Sequence, residues 1–131
     1  VDLSVVMTGQ KSMIKDLEHQ EQSALIRWSK AQAKTIPELK LLFAIPNGGH
    51  RHIAVATKLK AEGVKKGVPD LFMPVAKGGY NGLFIEMKRQ KGGTVSPEQK
   101  QWHADLQEQN YRVDVCHGWD SARETILEYL K

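Results

Sequence analysis

Asp70, Glu86 and Lys88 are the residues whose types and spacing best suit chemistry. They lie in the stretch GVPDLFMPVAKGGYNGLFIEMKRQ, residues 67–90. Strands this rich in Leu, Phe, Ile and Met bury at least one face. A charge there is costly unless it is paired or bound to a metal. Alternation along LFIEMKR puts Leu83, Ile85 and Met87 on one face and Phe84, Glu86 and Lys88 on the other. Glu86 and Lys88 are then neighbours, about 7 Å apart along the strand. Asp70 precedes Glu86 by sixteen positions. A hairpin turning around Gly78–Gly82 brings it across from the Glu86–Lys88 end.

Two close carboxylates repel unless a cation joins them. Oxygen ligands that leave room for water suit Mg²⁺ or Mn²⁺. Such an ion polarises a phosphate and lowers the pKa of a bound water. A lysine beside it can orient that water or offset charge on a phosphorane-like transition state. The set suits phosphodiester hydrolysis. The same spacing also allows a surface Glu86–Lys88 salt bridge with Asp70 as a turn residue, and spacing alone leaves both open.

The elements that must position these groups follow from pattern. Residues 14–34 read as a helix with Leu17, Leu25 and Trp28 near one face. Leu39–Pro46 is a short apolar run read as a strand. NGGH follows as a turn, and Arg51–Glu62 as a shorter helix stopped by Gly63. VPDLFMPVA and LFIEMKR are two strands joined by the hairpin KGGYNG. Ser96 caps a helix from Pro97 to about Gln109, with Gln99 placed for a capping box. YRVDVCH is a further strand, and Asp120 is expected to cap a last helix through Leu130. The order predicts an α/β domain around a mixed four-stranded sheet.

The 131 residues suit one domain, and 40% hydrophobic with 26% charged residues is a globular composition. No apolar run is long enough to span a membrane, and no signal-peptide pattern is present. One cysteine, Cys116, permits no intramolecular disulfide. A cytoplasmic setting is the expectation. Nineteen Lys and Arg against fifteen Asp and Glu give a net charge of +4, which permits a polyanionic partner without demanding one. The chain opens at Val1, so something upstream is expected to have been removed. Residues 1–13 are set aside as an N-terminal extension, disordered or foreign to the domain, and 14–131 as the domain proper.

Pro69-Asp70 followed by Glu86-Met87-Lys88 resembles the PD-(D/E)-x-K nuclease motif. With Ile45-Pro46-Asn47-Gly48-Gly49, Gly67-Val68-Pro69-Asp70-Leu71 and Ser96-Pro97-Glu98-Gln99 in order, the chain resembles the VRR-NUC family over roughly Lys15 to Leu130. The resemblance implies a restriction-endonuclease-like αβββαβ core and a divalent-metal nuclease using Mg²⁺ or Mn²⁺. It makes Asp70 and Glu86 metal ligands, joined by the backbone carbonyl of Met87, and Lys88 the catalytic lysine. It also calls for a first-helix glutamate. Glu18 and Glu21 are both available, and Glu18 fits the spacing to Leu25 better. It gives Gln99 an active-site role, expected to exclude its capping role except in different states. Family members of about this length resemble homodimeric Holliday-junction resolvases, often from phages, which would place the protein in a bacterial host cytoplasm. The resemblance leaves flap, nick, end-processing or restriction-type cleavage as alternatives, and a DNA-binding module without catalysis as a non-enzyme one.

Candidate DNA contacts follow. Asn47 and Arg51 flank a Gly-rich turn before a helix, where backbone N–H groups can receive a phosphate. Lys65 and Lys66 precede Asp70, and Arg89 and Lys91 follow Lys88. Such basic groups grip a backbone without reading sequence, though a charge run is often only a solvated face. His50 and His52 lack the partners of a zinc site. Cys116 reads as a small core residue. Trp119, Ile126 and Leu130 serve either the core or a dimer interface.

Overall fold

The computed structural model describes the backbone of residues 3–46 and 53–131, and side chains over 17–46 and 54–131. Helix α1 (Leu3–Gln32) begins ahead of the expected start at Ile14. Strand β1 (Phe43–Ala44), helix α2 (Ile53–Ala61), strands β2 (Leu71–Met73) and β3 (Leu83–Lys88), helix α3 (Pro97–Glu108), strand β4 (Arg112–His117) and helix α4 (Trp119–Tyr129) follow. The sheet order is β1-β2-β3-β4, antiparallel except for the parallel β3–β4 pair. This is the expected mixed four-stranded α/β architecture.

Pleating divides the sheet as the alternation predicts. Leu71, Met73, Leu83, Ile85, Met87 and Cys116 join Leu25 of α1 and Ala122, Ile126 and Tyr129 of α4 in one buried cluster. Glu86 and Lys88 therefore fall on the opposite face, where α3 docks. That face is apolar at its other end: Phe72 and Phe84 stack with centroids 4.1 Å apart, and Tyr111 meets both edge-on. β3 is buried along its whole length, as a central strand covered on both faces must be.

Gly67 sets how closely α3 approaches. Its φ is +92°, and a Cβ there would lie 2.9 Å from the Glu98 backbone. Only glycine allows both the left-handed backbone and that contact. The segment leading into β2 thus abuts the first turn of α3.

Two expectations need correction. Leu39–Pro46 is not one strand: Pro37–Leu41 forms a 3-10 turn and only Phe43–Ala44 pairs. Pro37 has no N–H to donate and suits a helical start, and the turn buries Leu39. Asp120 does not cap α4. The cap is Gly118, which has no side chain to offer, and Glu21 supplies the acceptor instead: the Trp119 N–H donates to Glu21 Oε2 at 2.6 Å. Of the three residues left open between core and interface, Ile126 is fully buried, while Trp119 and Leu130 lie partly buried against the core. The packing spends most of that apolar surface within the chain. The start expected at Arg51 for the second helix lies outside the described residues.

Candidate active site

β2 begins one residue after Asp70, and the chemistry lies at that end of the strand. The register pairs Leu71 with Ile85, so Asp70 stands opposite Glu86. Beyond the last β2–β3 pair the Met87 N–H turns to the Asp70 side chain, donating to Oδ2 at 2.7 Å. That bond ties Asp70 to β3. Glu86 is only 1% exposed and Lys88 only 6%. Two ionisable groups this deep need partners.

One side chain serves both. Gln99 Nε2 donates to Glu86 Oε2 at 3.2 Å, and Lys88 Nζ donates to Gln99 Oε1 at 3.3 Å. Gln99 Oε1 also accepts from the Ser96 N–H at 2.9 Å, and the Gln99 N–H donates to Ser96 Oγ at 3.1 Å. The capping box is complete while the amide holds Glu86 and Lys88. The expectation that the two roles exclude each other is corrected: an amide has two polar atoms, and its oxygen accepts twice.

Glu86 carries the largest electrostatic strain. Burial, then its hydrogen bond and charge repulsion with Asp70, push its carboxyl up to about 9, against the pull of Lys88. Its Oε1 finds no hydrogen-bond donor. His103 Nε2 lies 3.5 Å from that oxygen and is also unpartnered. Burial and the nearby Lys88 charge hold the His103 imidazole below its ordinary value.

Asp70, Glu86, Lys88 and Gln99 line a cleft of about 510 Å³. Glu18 and Gln22 reach it from one face of α1, at the i, i+4 spacing of the helix. A Cβ on Gly93 would lie 3.4 Å from Lys88 Cδ and 3.7 Å from Glu18 Oε1, so Glu18 and Lys88 flank the same glycine. Glu21 points elsewhere: besides Trp119 it takes the Gln90 Nε2 donor at 3.1 Å. Of the two first-helix glutamates, Glu18 faces the cleft.

The donor chemistry fits a small hard cation. Mg²⁺ and Mn²⁺ are commonly held by one or two carboxylates with water completing the shell. Asp70 and Glu86 supply that pair, and the burial and facing Asp70 carboxylate that push the Glu86 carboxyl up are a setting that a cation would relieve. Among the described residues no cluster of three or more His, Cys, Asp or Glu is assembled in ligand geometry. The fit therefore rests on two carboxylates, with Glu18 nearby.

A family model, the VRR-NUC domain, matches residues 8–120. The chain belongs to the VRR-NUC family. A solved VRR_NUC domain protein is 32% identical to it, covering 86% of this chain and 87% of that one, with a TM-score of 0.73. No curated protein matches it significantly. As a VRR-NUC domain the protein is a nuclease of the PD-(D/E)XK type. Among the described residues no helix is long and apolar enough to cross a membrane.

Of the remaining expected residues, Met87 and Lys66 line the cleft, and Lys65 and Arg89 do not. Met87 lines the cleft, with its side chain in the core on the other sheet face. Lys66 lines the cleft with its Nζ 3.8 Å from Glu98. Lys65 Nζ stands 6.0 Å over the Trp102 ring. Arg89 Nε donates to the Lys91 carbonyl at 2.7 Å, folding it onto its own loop. Asn47 and Arg51 lie outside the described residues. Sequence reading missed His103 and the capping by Glu21. His103 had one signal: it sits four residues after Gln99, hence on the same face of α3.

Proposed function

We propose that this VRR-NUC domain is a metal-dependent, structure-selective endodeoxyribonuclease that resolves four-way DNA junctions as a homodimer. The observation that carries the chemistry is the juxtaposition of Asp70 and Glu86 in register, with Lys88 on the same face and Gln99 bridging Glu86 to Lys88. Asp70 and Glu86 would hold Mg²⁺ or Mn²⁺, with Glu18 and the Met87 carbonyl completing the protein's share. The bound ion supplies Lewis acidity toward a phosphate oxygen and a more acidic water.

The chain's own groups do the rest. Asp70 is fixed by the Met87 N–H, so its carboxylate needs no reorganisation when substrate arrives. Lys88 is held by Gln99 at the cleft, where its ammonium orients the attacking water and offsets charge building on the phosphate. Lys66 at the cleft, with Lys65, Arg89 and Lys91 nearby in sequence, offers charge to the flanking phosphates. DNA recognition by these groups reads backbone position, which suits selection by branch shape.

The test is cleavage of labelled four-way junctions, flaps, nicked duplex and linear duplex with Mg²⁺ or Mn²⁺, beside a Lys88→Ala variant. Junction cutting that needs the metal, and a variant that binds junctions but does not cut, is the expected result. Preferential cutting of flaps, nicks or ends would move the substrate to those structures. Binding without cutting under any metal would leave a DNA-binding module. A Lys88→Ala protein that cuts at the wild-type rate removes the lysine from the mechanism.

A further inference from the structure

We propose that His103 is a positioning residue for Glu86, its Nε2–H donating to Glu86 Oε1 while Gln99 holds Oε2, so that one face of α3 fixes the carboxylate opposite Asp70. The inference rests on the reading of Glu86 as a metal ligand. Its geometry does not. His103 Nε2 and Glu86 Oε1 lie 3.5 Å apart, both shut off from solvent, and neither has another hydrogen-bond partner. Two unpartnered buried polar atoms facing each other are rare in proteins and call for an explanation. The His103 side chain is 13% exposed, so water does not supply an easy substitute.

The helix explains why these two residues act together. Gln99 and His103 are one turn apart on α3, and each points a nitrogen at a different oxygen of one carboxylate. A carboxylate gripped on both oxygens from one side presents its remaining lone pairs in a fixed direction. Outer partners of this kind set the orientation of metal-binding carboxylates, and their loss typically weakens metal affinity about 10–100-fold. The separation is longer than a good N–H···O bond. Contacts of this type are often loose in an empty site and tighten when it is filled. The role requires the ring proton on Nε2.

Calorimetric titration of Mn²⁺ into the wild-type protein, His103→Gln and His103→Leu tests this. The Gln amide nitrogen reaches the Nε2 position and keeps a donor; Leu keeps bulk and loses it. Wild type and His103→Gln should bind Mn²⁺ within about threefold of one another, and His103→Leu about tenfold or more weakly. The metal-free melting temperature of the Leu variant should be no lower than that of the Gln variant. Independently, nitrogen-15 NMR of the wild-type protein should show the His103 proton on Nε2, with that resonance moving downfield as Mg²⁺ is added. If His103→Leu binds Mn²⁺ like wild type, or the ring is protonated on Nδ1 alone with Mg²⁺ present, the inference is overturned while the metal reading stands. If wild type binds no Mn²⁺, both fall. Should His103→Leu fail to fold, the NMR result decides alone.

Discussion

Glu86 concentrates the demands of the site in one residue. It is buried, faces a second carboxylate and is held near 9 by burial first and Asp70 second. An unfolded chain would release this proton near the ordinary glutamate value of 4.5. Between those values the folded, metal-free protein keeps a proton that the unfolded chain has lost. The stability tied to this group is therefore complete below about pH 4.5 and is lost as pH rises through about 9. The melting temperature of the metal-free protein should fall across that window, and Glu86→Gln should flatten the fall. A divalent ion must displace the same proton, so apparent Mn²⁺ affinity should rise by up to about tenfold per pH unit below 9. Calorimetry in buffers of different ionisation enthalpy reads the released proton directly. Mn²⁺ affinity that is flat from about pH 6 to about pH 8, with no proton release, would contradict this. So would an unchanged affinity in Glu86→Gln and in Asp70→Asn.

Elements decide which of two similar residues reaches the site. Glu18 and Glu21 are three positions apart on α1, yet one lines the cleft and the other caps α4. Losing a helix-capping acceptor costs about 0.5–2 kcal/mol, and a carboxylate is favoured at a helix N-terminus. Glu21→Ala should therefore lower stability by about that amount in denaturant melts, leaving Mn²⁺ affinity intact. Glu18→Gln should do the reverse, sparing stability and depressing cleavage. A Glu21→Ala protein of wild-type stability with weakened metal binding would invert the assignment. This pair also marks the boundary of what a sequence carries. The approach of Asp70 to the Glu86–Lys88 end and the shared face of Glu86 and Lys88 were legible, because a strand alternates with period two and a Gly-rich hairpin returns the chain. The exact register was not, because the Lys77–Tyr80 bridge in the connection is one residue out of step with the Leu71–Ile85 pairing. The choice between the glutamates was open, because it depends on how α1 sits against α4, a contact made 98 positions away in the chain. The joint reach of Gln99 to Ser96, Glu86 and Lys88 was hidden for a similar reason. The capping box is local, but the other two contacts exist only because Gly67 lets α3 close onto the sheet. The apolar run at Leu39–Leu42 misled because it buries Leu39 through a 3-10 turn, and periodicity cannot separate such a run from a strand.

At the scale of the whole molecule, the proposed reading requires more than one chain. One cleft of about 510 Å³ engages a single scissile phosphate and its neighbours. Paired cuts across a branch need two such clefts at fixed separation, which a two-fold axis supplies. Ile126 is enclosed by the core and cannot contribute to the interface, and Trp119 and Leu130 are largely spent inside the chain. The half-exposed apolar side chains that remain include Leu17, Leu41, Phe43, Val115 and Leu127, on several different elements. Light scattering at micromolar concentration is expected to give twice the 14.7 kDa chain mass. The net charge of +4 is modest, so affinity must come from local basic groups, among them Lys66 and Lys88 at the cleft, rather than from the whole surface. Each phosphate neutralised by such a group contributes a salt dependence with a slope of about −0.9 on duplex DNA. Binding should weaken with added salt on every DNA form, while the ratio of junction to linear affinity, set by shape, changes little. A monomer that cuts linear and branched DNA equally would remove both the two-fold assembly and the junction as substrate, leaving a metal-dependent nuclease that acts on single phosphates wherever the cleft can reach them.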